Sequence, residues 1–129
     1  MNHSPLATDV VVFRATPGGI AAAVAAARLG RSVVVAEDHA HVGGMATSGL
    51  GKSDVEKRWL IGGIFAEFVA GIHEHYIRTY GPDHDNVRLA SDGYFYEPHV
   101  AERVFDALLA AEPRITALNG QRLDGAEVE

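Results

Sequence analysis

The sequence predicts an α/β fold in which parallel strands alternate with helices. Two short apolar runs, at residues 10–13 and 32–36, flank an alanine-rich segment with the length of a βαβ crossover. Unbroken apolar runs of this kind are typical of central parallel strands that are covered on both faces. Further along the chain, two segments with helical periodicity lead to a third short strand at residues 114–118. These observations favour a parallel sheet with helices packed on its faces.

The first helix is predicted to run from about Gly18 to Arg28, between the first two strands. Thr16 can cap its start with the side-chain hydroxyl, and Pro17 suits the first helical position. The alanines favour helix and allow close packing on a sheet. Gly30 is a natural residue for the end of this helix.

The segment at residues 39–55 is predicted to be a glycine-rich loop. A second helix is expected at residues 61–80, where apolar side chains recur at helical spacing. That stripe consists of Ile64, Phe65, Phe68, Val69, Ile72, Tyr76 and Tyr80. Residues 81–93 are predicted to be a polar loop, and another helix is expected between Pro98 and Pro113. Its apolar face consists of Val100, Val104, Phe105, Leu108 and Leu109. A further strand is expected to begin at Ala126 after turn signals at residues 119–120 and 124–125.

Composition limits the classes of function. The chain has 129 residues, which favours one domain, with residues 1–8 expected to be a disordered tail. Its formal net charge of −6 argues against nucleic-acid binding, which depends on clustered Lys and Arg. The absence of cysteine excludes disulfides, thiolate metal sites and a cysteinyl flavin link. We see neither a signal peptide nor an apolar stretch that could span a membrane, so we expect a cytoplasmic protein.

The turn after the first strand resembles the dinucleotide-binding fingerprint G-x-G-x-x-G. Its three glycine positions hold Arg14, Thr16 and Gly19, with an additional Gly18. Glu37 follows Gly19 by 18 residues and ends the second strand, where the fingerprint places an acid that binds ribose hydroxyls. The alternative is an ordinary βαβ turn with a surface glutamate. We favour the dinucleotide site, because the acid falls at the expected strand end.

Arg14 is the exception in this motif, since glycine normally stands at that position. A side chain there would crowd the tight turn and hinder the backbone angles that the turn needs. Alternatively, Arg14 could swing outward and pair with a phosphate. We favour crowding, because the glycine normally keeps this position free of a side chain.

The pair Gly43-Gly44 favours FAD over a nicotinamide cofactor. A simple nicotinamide domain would continue to a helix and a third strand soon after Glu37, whereas this chain has a glycine-rich loop and then two helices. Glycines here would let the backbone pass close to a bulky cofactor. Taken alone, the pair is better explained as a plain flexible loop.

Four segments carry a more specific resemblance: ATPGGIAAAVAAARLGRSVVVAE, HVGGMATSGLGKSD, IGGIFAEF and YEPHVAERVFDALL. In this order they resemble the opening of FAD-dependent oxidoreductases with a glutathione-reductase-like FAD domain. The resemblance implies a Rossmann-like three-layer FAD-binding fold with a partial parallel sheet of order 3-2-1. It also implies that residues 9–129 are the N-terminal portion of a longer FAD-binding domain. The strand that flanks the first strand on its other side and the substrate domain would then be missing.

The resemblance also implies roles for individual residues. The pyrophosphate turn would consist of Thr16, Pro17, Gly18 and Gly19. Glu37 would bind the adenosine ribose, and the strand at residues 114–118 would lie near the adenine. The cofactor would continue along Gly43, Gly44 and Met45 and approach the flavin at Thr47, Ser48 and Gly49.

No catalytic residue stands out, and we expect no metal site. The histidine pairs 39/41 and 73/75 lack the spacing of known metal sites. A histidyl link from His39 or His41 to a flavin does not match the glycine spacing. We interpret His99 as an exposed helix-start residue rather than a proton donor, and the aromatic residues Trp59, Tyr94 and Tyr96 as core.

The sequence therefore predicts the FAD-binding part of an oxidoreductase that transfers hydride to or from an unknown small organic substrate. We expect the isolated chain to be inactive. Two alternatives remain open. The first is a cofactor-free remnant that self-associates through the open edge of the first strand. The second is an NAD(P)-binding domain.

Overall fold

The computed structural model describes residues 5–128. Its sheet consists of β1 (Val10–Phe13), β2 (Val33–Glu37) and β3 (Ile115–Asn119), all parallel. Their order is β1-β2-β3, so β2 lies in the centre. The predicted α/β class, the parallel sheet and the order 3-2-1 are thereby confirmed. The part of the predicted tail at residues 1–4 lies outside the described residues.

Four helices connect and cover the strands: α1 (Pro17–Arg28), α2 (Gly63–Tyr80), α3 (Asp85–Leu89) and α4 (Pro98–Ala110). Short 3₁₀ turns occur at Gly44–Ala46, Arg58–Leu60 and Ser91–Gly93. The three predicted long helices and the first three predicted strands are present, and their ends coincide with the prediction or differ from it by up to three residues.

Two local predictions are wrong. The expected polar loop at residues 81–93 contains α3, which His84 caps by accepting the Asn86 N–H at Nδ1, while Val87 is buried beneath it. No strand begins at Ala126 in the described part of the chain. After β3 the backbone instead crosses the end of β2, where the N–H of Gln121 donates to the Glu37 carbonyl at 2.9 Å.

The core lies between the sheet and the layer formed by α1, α2 and α4. Its largest fully buried side chains are Ile20, Val24, Val33, Val35, Ile72 and Val100. On the opposite face of the sheet, Val11 is 61% exposed and Phe13 is 38% exposed. The expectation that β1 is covered on both faces is therefore wrong, because α1, α2 and α4 pack together on one side of the sheet.

The two long helices meet through aromatic and small residues. The rings of Phe68 and Phe105 stack with centroids 4.3 Å apart. Gly71 faces Val104 so closely that a Cβ would lie 2.8 Å from a valine methyl group. Tyr94 and Tyr96 belong to this core as predicted, whereas Trp59 is 77% exposed on a surface turn and does not.

Arg28 joins three elements at the surface. Its guanidinium donates to both carboxylate oxygens of Glu67 on α2 and to Glu112 after α4, at 2.7–2.8 Å. Among the described residues, no helix has both the length and the apolar character needed to cross a membrane.

Candidate functional site

The turn between β1 and α1 presents the start of a helix at the edge of the sheet. The Thr16 hydroxyl accepts the Gly19 N–H at 3.1 Å, and the Thr16 carbonyl accepts the Ile20 N–H at 2.8 Å. Pro17 has no N–H, and the N–H of Gly18 belongs to the first turn, where no preceding helical carbonyl can accept it. A Cβ on Gly19 would overlap the Arg14 carbonyl, which explains why the last glycine position of the fingerprint is kept.

Arg14 adopts the left-handed backbone conformation that favours glycine, with φ of 79°. Its N–H still donates to the Ala36 carbonyl at 2.8 Å, so the turn forms despite the side chain. The guanidinium turns towards the end of β2, where Nη1 lies 2.6 Å from Asp38 Oδ1 and 3.8 Å from Glu37 Oε1. The contact with Asp38 is an ion pair, since Oδ1 accepts no well-aligned hydrogen bond within the described structure.

Glu37 ends β2 beneath this turn and is only 4% exposed. Its Oε2 accepts the Ala15 N–H at 2.7 Å, and its Oε1 accepts the His39 N–H at 3.1 Å. A carboxylate has about four acceptor positions, so both oxygens retain capacity for ribose hydroxyls. The acid is therefore held at the strand end where the fingerprint predicts it.

The Asp38 carboxyl is held as an anion beside Glu37. Burial opposes its ionisation, but the contact with Glu37 and the charge of Arg14 outweigh burial and lower the pKa of Asp38 below its usual value. Two carboxyl groups and one guanidinium thus meet at the end of β2.

The glycine-rich loop packs against the same turn. The N–H of Gly43 donates to the Ala15 carbonyl at 2.6 Å, and Gly43 has a φ of 95°. A Cβ there would overlap Thr47 and come within 2.7 Å of the Phe105 ring. Gly44 also has positive φ, at 51°. The hydroxyl of Ser48 donates to the Gly44 carbonyl at 2.8 Å.

A crevice of about 480 Å³ opens at the carboxyl ends of β1 and β2, between the turn and this loop. Ligands of open α/β sheets bind at this edge. The crevice is lined by Arg14, Thr16, Glu37, His39, Ala40, His41, Gly44, Met45, Thr47 and Ser48. It thus brings together residues from the two segments that the sequence had singled out separately.

Of the eleven predicted cofactor-binding residues, six line the crevice: Thr16, Glu37, Gly44, Met45, Thr47 and Ser48. The other five are placed beside it. Gly19 and Gly43 permit close packing, Gly18 lies in the first turn of α1, Pro17 borders a neighbouring cavity, and Gly49 follows with φ of 125°.

Sequence reasoning missed the contribution of residues 39–41 to the crevice wall. They follow Glu37 and Asp38 at the end of β2, and this position was the available signal. The end of β3 holds them in place, since Asn119 Nδ2 donates to the Ala40 carbonyl at 3.2 Å and the Gly120 N–H donates to the His39 carbonyl at 3.3 Å. The strand expected near the adenine therefore supports the loop at that end of the crevice.

A second cavity, of about 370 Å³, adjoins the crevice, and Met45 lines both. Its wall is mainly apolar and includes Ala21, Leu50, Ile64, Phe65, Phe68 and Phe105. Such a wall suits a flat aromatic group better than a charged one.

Potential metal ligands meet at one place in the described residues: atoms of Glu37, Asp38 and His39 lie within 4.8 Å of one another. Protein groups already engage them, because Glu37 accepts two backbone N–H groups and Asp38 pairs with Arg14. The cluster therefore resembles a hydrogen-bonded strand end more than a metal centre. His99 is exposed at the start of α4.

The family model of the FAD dependent oxidoreductases matches residues 9–129. The chain belongs to this family. The resemblance and the FAD prediction are thereby confirmed, and the alternative of an NAD(P)-binding domain finds no support. The family identifies FAD as the cofactor. No curated protein matches the sequence significantly.

One of two similar solved structures supports the fold. THI4 from Thermovibrio ammonificans is 18% identical, with a TM-score of 0.51 over 92% of this chain and 43% of that one. The HOCl-induced flavoprotein disulfide reductase RclA from Escherichia coli is 18% identical, with a TM-score of 0.43 over 87% of this chain and 21% of that one. At these values the first likeness shows the fold alone, and the second carries no argument. The chain spans less than half the length of either structure.

The residues present fit the phosphate-bearing half of FAD. The first turn of α1 offers an N–H group and the positive end of a twelve-residue helix. Glu37 offers acceptor capacity at the strand end, and the glycine loop brings backbone close to the same crevice. Arg14 leaves the turn intact, so the departure from the fingerprint does not abolish this geometry.

Proposed function

We propose that the crevice binds the adenosine diphosphate half of FAD, and that the whole protein transfers hydride between the flavin and a small organic substrate. One observation carries this proposal: the fingerprint turn, the buried Glu37 and the glycine loop all border a single crevice at the carboxyl edge of the sheet. We further propose that residues 9–129 form the N-terminal portion of a longer domain, which the incomplete coverage of THI4 supports.

Each part of the crevice has a role in this proposal. The turn from Thr16 to Gly19 binds the pyrophosphate through the Gly18 N–H and the positive end of α1, and Glu37 accepts hydrogen bonds from the ribose hydroxyls. Met45 and the loop to Gly49 lie along the cofactor towards the flavin. FAD, when bound, supplies the hydride acceptor and donor, while the chain binds and orients it. Thr47 and Ser48 hold the loop through their hydrogen bonds to the carbonyls of residues 42 and 44.

A flavin titration with one matched pair of variants tests the proposal. The chain is titrated with FAD and separately with NAD, and quenching of flavin fluorescence and calorimetry report binding. Gly18→Asp places a carboxylate at the start of α1, where a Cβ meets open space. It should favour the helix through its dipole but repel the pyrophosphate. Gly62→Asp makes the same change before α2, also in open space and away from the crevice.

We expect FAD to bind in preference to NAD, Gly18→Asp to weaken FAD binding strongly, and Gly62→Asp to leave it unchanged. Failure of the chain to bind FAD, or equal affinity in Gly18→Asp, would contradict the proposal.

A second candidate function, self-association, rests on the open edge of β1. Among the described strands β1 pairs only with β2. Val10 donates its N–H to the carbonyl of Ser32 just before β2, and Arg14 donates to Ala36 in β2, so the alternation of a strand directs the Val11 N–H to the free edge. Val11→Pro removes that donor without removing a bond to β2. Sedimentation velocity should show a dimer that Val11→Pro abolishes, and a wild-type monomer at every concentration would refute pairing.

A cytoplasmic location completes the proposal. The sequence contains no cysteine, which is compatible with a reducing compartment. Fractionation of cells that express the tagged protein should recover it with soluble cytoplasmic markers, and recovery in another fraction would contradict this part.

A further inference from the structure

We propose that Arg14 binds a phosphate group in the crevice. Its guanidinium takes the place of the fingerprint glycine, and Asp38 holds this guanidinium in position. The inference rests on the proposed function, because it assigns a new contact to the same nucleotide. It reverses the sequence-based expectation that this side chain obstructs the turn.

The geometry leaves Arg14 free to bind a second anion. A guanidinium has five N–H donors, and the ion pair at 2.6 Å engages one of its nitrogen atoms with Asp38 Oδ1. The side chain is 44% exposed and lines the crevice together with Thr16 and Ser48. Asp38 thus orients the guanidinium from the strand end, while its remaining donors reach the crevice.

Charge gives Arg14 a specific function here. Within the described crevice wall it is the permanent cation, and Glu37 is a carboxylate beside it. Asp38 adds a second carboxylate at the same strand end, and its lowered pKa keeps it ionised at neutral pH. Without Arg14, an anionic dinucleotide would approach two uncompensated carboxylates. The guanidinium compensates one of these two negative charges and offers hydrogen bonds that match phosphate oxygens.

The backbone of Arg14 gives a separate observation. A φ of 79° is a conformation that a residue with a side chain rarely adopts, and strained residues of this kind concentrate at ligand sites. Glycine at position 14 would relieve the strain. Stability and affinity are therefore predicted to change in opposite directions in Arg14→Gly, which a merely structural role of Arg14 does not predict.

Calorimetric titrations of the whole chain with ADP and with adenosine test the inference. Arg14→Gln should bind ADP about tenfold more weakly, as expected for loss of one charge-assisted hydrogen bond. It should bind adenosine as the wild type does. Arg14→Lys should recover part of the ADP affinity, and Arg14→Gly should lose affinity while melting at a higher temperature. Arg31→Gln, an exposed arginine before β2 at the opposite end of the sheet, is the matched control and should bind ADP normally.

Every other outcome contradicts the inference. The pattern of affinities across the variants shows whether it also contradicts the proposed function. If Arg14→Gln binds ADP as tightly as the wild type does, or if it binds ADP and adenosine with equally reduced affinity, Arg14 does not contact the phosphate. The proposed nucleotide site is not affected by either result. Tighter ADP binding by Arg14→Gly shows that the side chain obstructs the crevice. Failure of the wild type and all variants to bind both ADP and FAD refutes the inference together with the nucleotide site.

Discussion

Substitution of Glu37 by glutamine removes the charge that ties the β1–α1 turn to the end of β2. The carboxylate is 4% exposed and accepts the N–H groups of Ala15 at 2.7 Å and of His39 at 3.1 Å. Glutamine has nearly the same shape but only one acceptor oxygen. Its amide nitrogen would face one of these two backbone donors, so that donor would lose its partner.

The size of the effect follows from these two bonds. A hydrogen bond to a charged acceptor contributes about 1.5–3 kcal/mol, and a buried donor left without a partner costs about 1–3 kcal/mol. We therefore expect Glu37→Gln to lower the free energy of unfolding by about 2 kcal/mol.

Urea unfolding monitored by circular dichroism measures this change. The matched control is Glu74→Gln, which breaks an exposed pair with Arg78 one helical turn away and should have no measurable effect. If Glu37→Gln unfolds at the same urea concentration as the wild type, the carboxylate does not hold the turn and the reasoning about the site is wrong.

Three further predictions concern stability. Gly43→Ala should lower the free energy of unfolding by about 2 kcal/mol, because an L-residue at φ of 95° is strained; an unchanged melting temperature would contradict this. Burial raises the pKa of Tyr76 to about 12, above the ordinary value of 10.0. Its contribution to stability should therefore be complete below pH 10 and fall as the pH approaches 12. Alkaline unfolding curves should show this slope in the wild type and a flatter one in Tyr76→Phe, and equal slopes would refute it. Arg28→Gln should have a lower melting temperature than the wild type, because it loses the ion pairs with Glu67 and Glu112. High salt should reduce this difference in melting temperature. A difference that salt leaves unchanged would argue against an ionic origin.

The first βαβ unit could be predicted from sequence because its signals are local. Thr16 and Pro17 mark the start of α1, and the apolar runs mark two strands that pair in parallel as predicted. Glu37 could be placed because a strand end and a fixed spacing define its position. The fold class was accessible for the same reason, whereas the cofactor was predicted from the resemblance of four segments to FAD-dependent oxidoreductases.

The remaining features depend on contacts between distant segments. The short helix α3 forms because His84 caps it and Val87 reaches the core, and neither interaction has a periodic pattern. The exposed face of β1 depends on where the helices pack, which the apolar run does not encode. The ion pair of Arg14 with Asp38 forms only because the turn and the end of β2 are neighbours in the sheet.

Mapping of backbone amide shifts by NMR during titration with ADP tests the nucleotide site most directly. The account predicts that the largest shifts cluster at Gly18, Gly44 and Ser48, on the two walls of one crevice. Shifts confined to α2 and α4, or no shifts at saturating ADP, would contradict it.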